Sequence, residues 1–125
     1  MKQAKIIKAY KAINKLYDQQ LPLTISHKLW MLRQKLEPTW EFQVDKEQEV
    51  IMAYSPVIAQ DGAVTFNTQE DSVKCREEYE KVCKEIADID VDLGDFQKIQ
   101  IKLDDKLEIS IEDIEALEDF VDFAE

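Results

Sequence analysis

Apolar residues recur at spacings of three and four from the start of the chain. Ile6, Ile7, Tyr10, Ile13, Leu16 and Tyr17 form one stripe, with Lys2, Lys5, Lys8, Lys11 and Lys15 between them. That period predicts an amphipathic helix with a lysine face, ending near Leu21-Pro22. Thr24 or Ser26 can cap a second helix, whose stripe runs through Leu29, Leu32, Leu36, Trp40, Val44, Ile51 and Tyr54. Pro38 lies within that stripe. A proline there cannot donate to the carbonyl of residue 34, so it bends the rod or starts a new helix after Glu37. One long kinked helix is expected, folded against the first as an antiparallel hairpin with Pro56 closing it.

Val57 to Phe66 carries Asp61-Gly62 at its centre, residues that tolerate the positive φ angles of a tight turn, so a short β-hairpin is expected. Thr68 stands three residues before Asp71, the spacing of a capping box with Asp in place of Glu. A third helix should follow through Val73, Arg76, Tyr79, Val82 and Ile86 to about Ala87. Farther on, Ile99, Ile101 and Leu103 alternate with Lys98, Gln100 and Lys102, and Leu107 and Ile109 alternate around Glu108 beyond Asp104-Asp105. Period two predicts a pair of antiparallel strands, with Lys102 or Lys98 set against Glu108. Ser110 should cap a final helix, with Asp113 three residues on and an apolar face of Ile111, Ile114, Leu117, Phe120, Val121 and Ala124. The expected fold is α+β: a long helical hairpin, small antiparallel β-hairpins and two further helices, in one domain spanning residues 1–125.

Charge changes this picture from a fold to a surface. Residues 1–37 hold eight bases against two acids, whereas the other 88 hold eight bases against 25 acids, giving −11 in all. The last 22 residues carry ten carboxylates and the single base Lys106. Such a field repels nucleic acid and anionic membrane and attracts basic protein surfaces. On the final helix Glu112, Glu115, Glu118, Asp119 and Asp122 should cover the outer face, either as a solvated face or as an electrostatic docking surface. Trp30 lies beside the stripe at Leu29 and is the better interface candidate, whereas Trp40 lies on it and belongs to the core. The lysine face of the first helix is expected to complement the acidic half or to be solvated.

Catalytic and metal patterns are weak. Cys75 and Cys83, eight apart on a helix, have Cα atoms roughly 12 Å apart, too far for a disulfide. Two free thiols fit a reducing compartment. Asp88, Asp90 and Asp92 imitate the start of a calcium loop, but the sixth position is Leu93, glycine arrives one place late, and the twelfth is Ile99. Ile89, Val91 and Leu93 between them alternate as a strand does, so a strand edge is expected. His27, the one histidine, lacks ligands at zinc spacing and reads as a helix-surface residue. With two glycines and no G-x-x-x-x-G-K there is no phosphate-cradling loop. No enzyme, cofactor or metal is expected. No apolar run reaches the roughly 20 residues of a membrane span, and no signal sequence opens the chain, so a cytoplasmic location is expected.

The stretch from Leu16 to Leu36, with Leu21-Pro22-Leu23 before an L-x-x-L helix, resembles a family of small phage and prophage proteins of Gram-positive bacteria. Lys106-Leu107-Glu108-Ile109-Ser110 running into Ile114-Glu115-Ala116-Leu117 adds to the likeness. The family has no assigned activity and contributes no catalytic residues; the resemblance implies a phage context and action by binding in the host cytoplasm. The expected function is therefore an acidic inhibitor occupying a basic, nucleic-acid-binding surface of a host defence protein. The alternative is a virion (tail) assembly factor or minor structural protein that forms a homo-oligomer through its helical hairpin.

Overall fold

A computed structural model describes residues 1–104 and 106–124. Asp105 of the expected Asp104-Asp105 turn, and Glu125 of the acidic tail, lie outside the described residues. The fold is α+β, with helices α1 (Gln3–Tyr17), α2 (Leu23–Met52), α3 (Gln69–Ala87) and α4 (Ile111–Ala116). The strands are β1 (Val57–Ile58), β2 (Val64–Thr65), β3 (Ile99–Lys102) and β4 (Val121–Ala124). Contacts cluster into two compact units, one of residues 1–40 and 90–125, the other of residues 41–89.

In the first unit α1 and the opening turns of α2 form the helical hairpin. Tyr10 stacks on Trp40 at 5.4 Å and the Arg33 guanidinium lies 5.3 Å from the Tyr17 ring, so the helices run antiparallel. Ile6, Ile13 and Leu16 meet Leu29, Leu32 and Leu36 in one core, as the paired stripes require. Ala9 and Ala12 are buried with them, and Trp40 packs at the edge with Lys11 over its ring. α2 begins at Leu23, earlier than the caps assigned from sequence. The Pro22 carbonyl accepts from the N–H groups of Ile25 and Ser26, so Thr24 and Ser26 sit inside the first turn. Pro38 stands inside a continuous helix, which ends where Ser55 takes a left-handed φ of 47° before Pro56.

The second strand pair departs from the expected antiparallel hairpin. β3 pairs in parallel with β4, in the register Ile99↔Val121 and Ile101↔Phe123, with α4 in the crossover between them. Parallel strands need such a crossover. The expected last helix therefore stops at Ala116, and Val121–Ala124 is strand. Adjacent Phe120 and Val121, 1% and 3% exposed, fit a helical stripe and a buried strand start equally well on paper. Ile99 and Ile101 supply the opposing apolar face, and the strand wins.

Leu107 and Ile109 do alternate in burial, but they form no strand. The Asp104 carboxylate accepts from the N–H groups of Lys106 and Leu107 at 2.8 and 3.1 Å, making a turn. The Gln19 amide then takes the place of a neighbouring strand, accepting from Glu108 N–H at 2.8 Å and donating to Glu108 O at 2.5 Å. Lys98 pairs with Asp122 at 3.5 Å in place of the expected Glu108.

The second unit holds the end of α2, the β1–β2 hairpin and α3. β1 and β2 pair antiparallel, Val57↔Thr65 and Ile58↔Val64, around Gly62 at φ 86°. Asp61 Oδ1 accepts from Ala63 N–H at 3.0 Å. Thr68 caps α3 as its spacing requires, its hydroxyl accepting from Asp71 N–H at 3.0 Å. The buried side chains are Val50, Cys75 and Ile86; of the expected stripes Val44, Ile51, Tyr54, Tyr79 and Val82 are half-buried and Ile86 is buried, whereas Val73 and Arg76 are exposed. Tyr54 donates to Glu78 at 2.8 Å and Cys83 to Glu47 at 3.7 Å, which orders α2 and α3 as antiparallel neighbours.

Candidate partner-binding surface

Ser110 opens α4 as expected, its hydroxyl accepting from Asp113 N–H at 3.1 Å. Glu112 and Asp113 in the first turn suit the positive end of the helix. α4 lies along α1, and this sorts the carboxylates into two rows. The inner row faces the lysine stripe: Asp113 pairs with Lys15 at 3.2 Å, Asp119 with Lys5 at 3.1 Å, and Glu118 reaches Lys5 at 4.0 Å. The second row, Glu112 and Glu115, is exposed and makes no ion pair among the described residues. A cleft of about 430 Å³ separates the lysines from the carboxylates, lined by Lys5, Lys8, Lys11 and Lys15 on one side and by Glu112, Asp113, Glu115, Glu118 and Asp119 on the other. Each exposed pair contributes only about 0.2–1 kcal/mol, so the pairs set local charge more than stability.

Glu118 and Asp119 stand in the turn after α4, and Asp122 lies beyond both. It lies on β4, where the Gln100 side chain donates to it at 2.8 Å and Lys98 stands at 3.5 Å. The Gln100 hydrogen bond, with Lys98 adding attraction, holds its carboxyl below the usual range. The expected five-residue outer face thus splits into Glu112 and Glu115 at the cleft on α4, Glu118 and Asp119 paired with Lys5, and strand-bound Asp122. Trp30 is 44% exposed on α2, with His27 stacked on it at 6.1 Å one turn earlier.

Asp90 forms a bridge with Lys2, their side chains 3.9 Å apart, and Val91 N–H donates to Met1 O at 2.8 Å. Asp92 accepts from Gly94 N–H at 2.8 Å, turning the chain at a φ of 70°. Val91 and Leu93 are half-buried, whereas Ile89 is exposed, so the alternation holds for two of its three members. Among the described residues no group of three or more His, Cys, Asp or Glu side chains is arranged to hold a metal ion. Both cysteines are free thiols. Burial pushes the Cys75 and Cys83 thiols up, and it lifts Tyr79 to about 12 with Glu47 adding to the effect. All three are protonated at neutral pH. Among the described residues no helix is long and apolar enough to cross a membrane.

Sequence reading missed Gln19 and Gln100, because a side-chain amide that substitutes for a strand partner leaves no periodic trace. Compared with family models, with curated proteins and with solved structures, the chain matches none.

Proposed function

We propose that the chain is a non-enzymatic, phage-type binding protein that occupies a basic, nucleic-acid-binding surface of a host defence protein. The observation that carries this reading is the sorting of carboxylates along α4 and the turn that follows it. Lys5 and Lys15 engage Asp119, Glu118 and Asp113, while Glu112 and Glu115, exposed at the mouth of the same cleft, make no ion pair among the described residues and are available to cations of a partner. Exposed Trp30 supplies the kind of anchor that dominates protein interfaces. Association driven by such a surface weakens as ionic strength rises toward about 0.15 M, where the screening length falls to about 8 Å.

The test is capture from host lysate by the wild type and by the Glu112→Lys, Glu115→Lys variant. A partner held by the wild type in low salt, lost by the variant, and unable to bind nucleic acid while held is the expected outcome. A partner that the variant retains equally, or that still binds nucleic acid in the complex, would overturn the reading. The alternative, an assembly factor that oligomerises through the helical hairpin, draws on Leu23, Trp30 and Met31, all exposed on α2. A monomeric mass by light scattering at high concentration removes that alternative.

A further inference from the structure

The β1–β2 hairpin has an unusual surface. Val57, Ile58 and Val64 are 60%, 55% and 43% exposed, and every residue from Val57 to Thr65 is exposed. A two-stranded hairpin is marginal in water unless a third strand or a packed face supports it. Among the described residues neither edge pairs with a third strand. Natural edges are blunted by lysine, by proline or by a bulge. Residues 57–65 contain no lysine, arginine or proline, and the only charge is Asp61 at the turn.

The hydrogen-bond phase tells which groups face outward. Ala59 N–H donates to Ala63 O at 2.9 Å, so these two form the hydrogen-bonded pair nearest the turn. By alternation Val57 and Thr65 are the next such pair. Ile58 and Val64 between them turn their N–H and C=O groups away from each other, one along each outer edge. The β1 edge is blunted, because Pro56, two residues before Ile58, has no N–H to offer. The β2 edge at Val64 has no such guard.

Charge identifies what would cover that edge. Residues 41–89 carry twelve acids against five bases, a net of −7, with Glu70 and Asp71 opening the helix that follows β2. A second copy would bring the same charge and the same apolar edge, and is disfavoured. We propose that the β2 edge docks an extended segment of a partner protein in which basic residues alternate with β-branched ones, adding it as a third strand. Main-chain bonds to Val64 would fix its register, apolar side chains would cover Ile58 and Val64, and its cations would answer the carboxylates of this unit. The inference goes beyond the α4 reading and does not depend on it, since it uses another surface.

The probe is a capped heptapeptide of lysines alternating with valine and isoleucine, titrated into the full chain. Amide shifts are read by NMR and affinity by anisotropy of the labelled peptide. The expected result is saturable binding that shifts the Val64 amide. Val64→Pro deletes the outward donor without touching a bond inside the hairpin, and should weaken binding at least about tenfold. Val64→Lys keeps the backbone and opposes the cationic strand, so it should weaken binding even if the proline variant misfolds. The counterpart peptide with glutamate for lysine should not bind, and Glu112→Lys, Glu115→Lys should bind the basic peptide as the wild type does. An unmoved Val64 amide, wild-type affinity in Val64→Lys, equal binding of the acidic peptide, or self-association that shifts Val64 without peptide would each overturn the proposal.

Discussion

Gln19 sits just past the end of α1, and its amide accepts from and donates to the backbone of Glu108, 89 residues away in sequence. It holds residues 107–109 extended against the core, with Leu107 and Ile109 packed inward. Removing it frees one N–H and one C=O to water, so Gln19→Ala should cost about 1–2 kcal/mol. Hydrogen exchange at the Glu108 amide should accelerate, and unchanged exchange there would show that the clamp carries no load. Asp122 lends itself to a second measurement at this scale. Its folded-state pKa lies below the ordinary 3.8, so its contribution is present above 3.8 and lost as pH falls through the lower folded value. Asp122→Asn should therefore lower stability slightly at neutral pH and flatten the acid limb below 3.8, so that variant and wild type converge in acid.

The elements that came straight from sequence are those with local signals. The lysine-spaced stripe of α1, the Thr68 and Ser110 caps and the Asp61-Gly62 turn each depend on residues within four positions of one another. The helical hairpin follows from two stripes of equal period. Leu32, 8% exposed in the core, should lose about 2–5 kcal/mol on Leu32→Ala, a visible drop in melting temperature. Trp30→Ala should leave the melting temperature nearly unchanged, and the reverse order of effects would mean that α2 is rotated. The parallel β3–β4 pair could not be read the same way. Its register joins Ile99 to Val121 across a crossover, and a period of two says nothing about which strand is the neighbour or in which direction it runs. The candidate site was half legible for the same reason. Its carboxylates were visible as composition, but which of them pair with lysines depends on how α1 and the acidic segment meet.

At the scale of the whole molecule, the acidic excess is spread unevenly. The first unit holds eleven bases and fifteen acids, a net of −4, and the second carries the remaining −7 on fewer residues. The strongly basic opening of the chain is thus largely offset inside its own unit, where Lys5 and Lys15 meet carboxylates of residues 113–119.

The division into units also sets a timetable. The second unit is one unbroken run of 49 residues, so all its contacts are short in sequence. The first is interrupted, and its ties span 90 residues from Met1 to Val91 and 114 from Lys5 to Asp119. Contacts separated by that much chain form slowly, because the entropy of closing the loop is lost before any packing is gained. Pulse-labelled hydrogen exchange should find the amides of Val50, Cys75 and Ile86 protected before those of Leu117 and Val121. The acidic segment that carries the candidate surface would then be the last part of the first unit to close, onto a helical hairpin already formed.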